Sequence, residues 1–221
     1  MEATDADGSV REYLRAVLTI AWKDIRLELR SKEALPMAAA LALLVVVVFA
    51  FSFGGARHPI GAVWVAFVFA GTLGVLQSIS VEGENDAFDA LLLAPIPNSA
   101  IYVGKVLSAT GFVAVIGLFT LAAARVFLGA APGASLPVLV GVVVLFAVGF
   151  AAVSVIVSAI TLFTRISDLI LPVLLVPLLI PALLAGVELT GNGGGNWLTV
   201  LASYDGIVFV SGVLVFEDLV T

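Results

Sequence analysis

The chain alternates long uncharged apolar runs with short polar segments. A helix needs about 20 apolar residues to cross roughly 30 Å of hydrocarbon, and six runs reach that length. They are predicted at residues 34–53, 59–81, 106–124, 136–163, 169–187 and 197–216. The pattern predicts an all-α membrane protein whose residues 34–221 form a domain of six transmembrane helices.

The segment before the first run is amphipathic. Between residues 10 and 33, apolar side chains recur at helical spacing and the basic side chains fall on the other side. Such a helix lies in the membrane interface with its cations at the lipid headgroups. We therefore expect residues 1–33 to form a cytoplasmic tip and an interfacial helix that contacts membrane lipids. The alternative is a juxtamembrane helix in water.

The polar segment between the second and third runs, residues 82–97, has an unusual order of residues. Acids come first, an aromatic and leucine cluster follows, and Pro95 and Pro97 end it. The acids complement the positive end of a helix, while the apolar side chains share one face by i,i+3 and i,i+4 spacing. This predicts a short cytoplasmic helix that docks on another protein; the alternative is a simple polar turn. The candidate coupling residues are Glu82, Glu84, Asp86, Phe88, Asp89, Leu91 and Leu92.

Two features interrupt the later apolar runs. Asp205 lies in the sixth run, where an ionised carboxylate at mid-span costs roughly 2.5–3.5 kcal/mol. It either faces a cavity or partner, or caps a helix that begins near it. The fifth run contains Pro172, Pro177 and Pro181, and proline removes a helix hydrogen bond and kinks the axis. These prolines belong either to a bent helix that lines a path or to a static kink.

Composition agrees with a membrane protein and argues against other classes. Hydrophobic residues make up 62% of the chain and charged residues 12%, against roughly 45–50% and about 25% in soluble domains. The net charge is −6, so no basic field attracts nucleic acid. The absence of cysteine excludes disulfides and thiolate metal sites. The lone His58 is best read as an ordinary loop residue.

Catalytic signatures are absent from the sequence. There is no phosphate-binding G-x-x-x-x-G-K-[ST] loop, no H-E-x-x-H pair and no nucleophile elbow. We therefore expect neither an enzyme nor a metal site, and any ATP hydrolysis would belong to a separate subunit.

The basic residues predict the orientation of the spans. Cytoplasmic loops carry an excess of Lys and Arg near span ends. With the N-terminus inside, eight of the 10 cations are cytoplasmic and only Arg57 and Arg125 are outside. We expect a multi-pass protein of the cell membrane with both termini in the cytoplasm.

Three stretches carry a resemblance to a known family. They are residues 24–33, residues 82–97 followed by Gly104-Lys105, and Tyr204-Asp205 with Phe216-Glu217. Together with the six-span layout they resemble the CcmB family, the permease subunit of the ABC-type haem exporter complex of cytochrome c maturation. One departure concerns residues 82–89, which lack the basic residues that the family often has there.

The resemblance implies an ABC exporter permease driven by a cytoplasmic CcmA-like ATPase. It also implies a permease homodimer, a CcmC-like haem-handling membrane subunit and a CcmE-like haem chaperone. Haem would be the substrate that is transported or handled, with no bound cofactor assigned. The alternatives are an ABC permease for a lipid or drug, and a membrane scaffold of an assembly complex that transports nothing.

Overall fold

The protein is described by a computed structural model that covers residues 2–53, 60–84, 96–129, 134–164, 170–191 and 195–220. Within these ranges the chain forms seven α-helices and no strand. The helices are α1 Glu2–Ser31, α2 Ala34–Phe53, α3 Ile60–Glu84, α4 Asn98–Phe127, α5 Leu136–Thr164, α6 Ile170–Thr190 and α7 Trp197–Val220.

Helices α2 to α7 are the six membrane spans. Each is long and apolar enough to cross a bilayer, and none has a marked polar face. A helix bundle in lipid needs no polar outer face, because the surrounding solvent is itself apolar. The all-α fold with six spans, predicted from the hydrophobic runs, is therefore confirmed.

The third span begins earlier than predicted. Helix α4 starts at Asn98, directly after Pro97, rather than at residue 106. The prediction began the span after the charge of Lys105, yet this residue lies within the helix and its side chain is only 9% exposed. The charge is tolerated there because α1 brings an acidic side chain to it.

Helix α5 is the centre of the bundle and packs against α4, α6 and α7. An aromatic cluster joins it to α3. The ring of Phe146 on α5 lies edge-on to Trp64, with centroids 4.9 Å apart, and 5.2 Å from Phe67. Phe150 continues the cluster one turn further along α5. Such offset ring pairs stabilise beyond their buried area, so this cluster fixes the middle of the bundle.

Two phenylalanines on α3 allow a test of this cluster. Phe67 is 2% exposed and touches the rings of Trp64 and Phe146, whereas Phe69 is 54% exposed on the outside of the bundle. Phe67→Ala should leave a cavity and lower the unfolding free energy by about 3–5 kcal/mol. Phe69→Ala should change it little. Thermal unfolding in one detergent compares the two variants, and equal losses would contradict the assignment of the cluster as the core.

Candidate functional site

Helix α1 packs along the beginning of α4. Its inner face buries Val17, Ile20 and Ala21, and the closest approach is at Gly104. A Cβ placed on Gly104 would lie 2.9 Å from Cβ of Ile20 and 3.0 Å from the carbonyl oxygen of Val17. Only glycine allows the two helix backbones to come so close, so Gly104 sets where α1 docks.

Polar side chains connect α1 to two spans at the same place, which we call the α1 end of the bundle. Lys105 Nζ on α4 lies 3.8 Å from Oδ2 of Asp24, whose other oxygen is 3.0 Å from Nζ of Lys23. One turn further along α1, Glu28 Oε2 accepts a hydrogen bond of 3.0 Å from Ser78 Oγ on α3. Helix α1 therefore contacts both α3 and α4 through its acids.

The predicted coupling segment joins these same two helices. Glu82 and Glu84 lie in the last turn of α3, and the chain is described again from Ile96, just before α4. The remaining candidate coupling residues lie outside the described residues, namely Asp86, Phe88, Asp89, Leu91 and Leu92. The short helix proposed for them stays a prediction, as does the interpretation of His58, which also lies outside the described residues.

The outer side of α1 exposes a second apolar stripe. Val10, Leu14, Leu18 and Trp22 follow one another at every fourth residue and are each more than half exposed. The guanidinium of Arg26 lies 5.6 Å from the centre of the Trp22 ring, a cation–π distance. An exposed apolar stripe flanked by cations is typical of a helix in the membrane interface, although the position of α1 relative to lipid stays a prediction.

Asp205 lies well inside a span and does not cap it. Helix α7 runs without a break from Trp197 to Val220, so the alternative of a cap at Asp205 is wrong. The sequence suggested a cap because glycine follows the aspartate, but the apolar residues before it extend the helix by two turns. Asp205 is 5% exposed, and neither carboxylate oxygen has a hydrogen-bond partner in the described part of the chain.

The carboxylate of Asp205 lies against the backbone of α5. A Cβ placed on Gly149 would collide with Oδ1 of Asp205, so the glycine makes room for the acid. The ring of the neighbouring Tyr204 also lies beside Gly149, and its hydroxyl donates a 2.6 Å hydrogen bond to the carbonyl of Leu178 on α6. Two adjacent residues of α7 thus contact the central helix and the proline-containing helix.

The three prolines of the fifth span have different settings. Pro177 and Pro181 lie inside α6, where each removes a backbone hydrogen bond. Pro172 lies in the first turn of α6, where the missing N–H would have had no helical partner. Leu178, which accepts the bond from Tyr204, lies between the two interior prolines, so the structure brings these prolines and Asp205 into one neighbourhood.

Several residues of these two sites were not singled out from the sequence as site residues. Asp24, Glu28, Ser78 and Lys105 meet only through tertiary packing. The available signal was a charge, Lys105, at the edge of an apolar run, together with acids on the amphipathic helix. For Tyr204, the signal was a hydroxyl beside the intramembrane aspartate, since a buried tyrosine usually finds a hydrogen-bond partner.

Comparison with known protein families gives one match that spans most of the chain. The family described as "CcmB protein" matches residues 15–215. The chain belongs to the CcmB family. Among curated proteins, none matches it. The matched range includes both sites, five whole spans and most of the sixth, so the resemblance noted in the sequence is confirmed. Members of this family are permease subunits of a transporter and are not known enzymes. This CcmB-family chain is an integral membrane protein.

The contact at Gly104 leads to a test of α1 docking. Gly104→Val places a side chain against Ile20 and the Val17 carbonyl, and such overpacking costs about 1–3 kcal/mol. A second substitution, Ala21→Cys, introduces a thiol where the native side chain is only 3% exposed. In detergent, this thiol should react with a maleimide about tenfold faster when Gly104 is replaced by valine than when Gly104 is retained.

Gly111→Val is the matched control for this test. Gly111 lies on the same helix, and a Cβ placed on it would have no atom of another residue that it could crowd within 4 Å. It should leave the reactivity of the Ala21→Cys thiol unchanged. If the thiol stays protected when Gly104 is replaced by valine, the close docking of α1 is contradicted.

The setting of Asp205 gives a second test. Because its oxygens have no hydrogen-bond partner among the described residues, Asp205→Ala removes an unsatisfied buried polar group and should leave the melting temperature unchanged or raised. Support of cytochrome c maturation, in a host without its own permease, should fall if the carboxylate serves the mechanism. Ser154→Ala is the control, because that buried hydroxyl donates to the Phe150 carbonyl of its own helix.

Two results would contradict this interpretation of Asp205. Full maturation by Asp205→Ala would show that the carboxylate is dispensable. A strong loss of thermal stability in the same variant would show that Asp205 holds the bundle together.

Proposed function

We propose that this protein is the permease of an ABC exporter that delivers or releases haem for c-type cytochrome biogenesis. Its membership in the CcmB family and its six spans support this proposal. A separate CcmA-like ATPase in the cytoplasm supplies the energy, since the chain has no phosphate-binding loop of its own. Haem is the substrate handled by the complex, and we assign no residue of this chain to hold it.

The observation that carries the coupling mechanism is the double attachment of α1. Through Glu28 it contacts Ser78 near the end of α3, and through Asp24 it contacts Lys105 near the start of α4. These two helices flank the 82–97 segment. When the ATPase pushes on that segment, the ends of α3 and α4 and the attached α1 move together. A local push therefore becomes a displacement of two spans.

The intramembrane site offers a route from this displacement to the rest of the bundle. Helix α4 packs on the central helix α5, and α5 meets Asp205 of α7 at Gly149. Tyr204 continues the chain of contacts to α6 between its two prolines. Since proline weakens a helix locally, α6 is the span most easily bent when α5 and α7 shift.

We place the α1 end of the bundle in the cytoplasm. Lys23, Arg26, Arg30, Lys32 and Lys105 cluster at that end, whereas the described residues of the opposite end contribute only Arg125. The positive-inside rule favours this orientation. Both termini are then in the cytoplasm. The protein itself lies in the cell membrane, across which a haem exporter must move its substrate.

Partners follow from the same proposal. The permease works as a homodimer with two ATPase subunits, beside a CcmC-like membrane subunit and a CcmE-like haem chaperone. Two functions compete with this proposal: a permease for a lipid or drug, and a membrane scaffold that transports nothing. Stimulation of a copurified ATPase by the permease would separate a transporter from a scaffold, and a requirement for cytochrome c maturation would separate haem from other substrates.

Docking of the ATPase is tested by two substitutions in the coupling segment. Phe88→Asp with Leu92→Asp should abolish copurification of the ATPase, because two charges replace the apolar face that inserts into a groove. The permease should still insert into the membrane, because the spans are unchanged. Pull-down of tagged permease from solubilised membranes measures the loss.

The matched control keeps the face apolar with Phe88→Leu and Leu92→Met. This variant should retain most of the ATPase. Retention of the ATPase by the double aspartate variant would refute the docking assignment.

A further inference from the structure

An apolar cleft opens at the end of the bundle opposite α1. Its volume is about 220 Å³, and it lies between the starts of α3 and α5 and the ends of α4 and α6. Its walls are almost entirely hydrocarbon, contributed by residues such as Ile60, Val63, Leu121, Leu139 and Val140. None of the described polar groups of the coupling or intramembrane sites faces it.

The polar groups of the cleft wall are already satisfied within the protein, apart from one. Trp64 Nε1 donates to Thr190 Oγ1 at 2.8 Å, and Thr190 donates in turn to the Gly186 carbonyl at 2.8 Å. Arg125, in the last turn of α4, lines the cleft and is exposed. No acidic side chain of the described residues forms a salt bridge with it. Among the described residues, a ligand of this cleft therefore meets an apolar wall and a single cation.

The size of the cleft limits what can enter it. An apolar cavity of about 150 Å³ already accepts a benzene molecule, while pockets for drug-sized ligands start near 300 Å³. The volume of 220 Å³ suits a stretch of one hydrocarbon chain and is too small for a large ring system. The guanidinium adds preference for a phosphate, which it can bind through two parallel hydrogen bonds.

We propose that this cleft binds an anionic phospholipid, with part of one acyl chain between the helices and its phosphate on Arg125. The bilayer supplies such a molecule at this depth, because Arg125 lies near the end of a span where headgroups begin. A lipid held here contacts α3, α4, α5 and α6 together and would stabilise their relative positions. The assignment to the outer leaflet rests on the orientation proposed above, whereas the site itself does not.

Photolabelling tests the proposal on the full-length protein in nanodiscs. The probe is phosphatidylglycerol with a diazirine on its acyl chain, and the readout is the yield of labelled peptides from residues 118–140. This readout is local, so lipid bound by the basic residues of α1 does not contribute. Unlabelled phosphatidylglycerol should compete, whereas phosphatidylcholine, whose choline ammonium offsets the charge of its phosphate, should compete more weakly. Glycerol phosphate, which has no acyl chain, should not compete.

Two independent substitutions should weaken the labelling. Arg125→Gln removes the cation and its charge-assisted contact with the phosphate, and it should raise the concentration of phosphatidylglycerol needed for competition about tenfold. Arg125→Lys should retain part of the affinity. Ala122→Phe fills the cleft from an exposed position and should abolish labelling, while Ala40→Phe, on the exposed side of α2, should not.

The remaining outcomes would overturn the proposal. Equal competition by phosphatidylcholine would show that the headgroup is not recognised. Competition by glycerol phosphate alone would indicate a phosphate site without a chain. Unchanged labelling in Arg125→Gln or Ala122→Phe would place the lipid elsewhere. Because none of these results involves haem or the ATPase, the lipid site can fail while the proposed function stands.

Discussion

The constraint on which this structure depends is that the hydrocarbon core offers no water to a polar group. Each buried polar group must therefore find its partner inside the protein. The hydroxyls of Thr72, Thr120 and Ser154 do so locally, each donating to the carbonyl four residues earlier in its own helix. Lys105 and Asp205 cannot be satisfied in this way, and both candidate sites are built around these two charges.

The two charges are handled differently. Lys105 lies near the end of its span, where α1 can place Asp24 beside it, so the charge also fixes the position of α1. Asp205 lies deeper, between α7 and the backbone of α5 at Gly149, and its oxygens find no hydrogen-bond partner among the described residues. An unsatisfied polar group is costly, and a protein retains such a feature most readily where function requires it. This contrast suggests an anchoring role for Lys105 and a mechanistic role for Asp205.

The sequence predicted the helices well because the bilayer imposes a simple rule on length and polarity. It failed where a tertiary contact changes that rule. The start of α4 was misplaced because the charge of Lys105 indicated the boundary of the span. Only the packing of α1, which brings Asp24 to Lys105, shows why this charge can lie within the helix. Asp205 was open to interpretation as a cap because local residues do not show how far a helix extends toward its N-terminus. The bond between Glu28 and Ser78 joins residues 50 positions apart, and no local pattern reveals such a pair.

The central claim is that a cytoplasmic ATPase acts on the segment between α3 and α4, and sidedness tests it most directly. The chain contains no cysteine, so single cysteines can be introduced at Asn85 and at Asn196 without background. In intact cells an impermeant maleimide should label Asn196→Cys, and it should label Asn85→Cys only after the membrane is permeabilised. Labelling of Asn85→Cys from outside, with Asn196→Cys protected, would place the segment and the α1 end away from the ATPase and contradict the account.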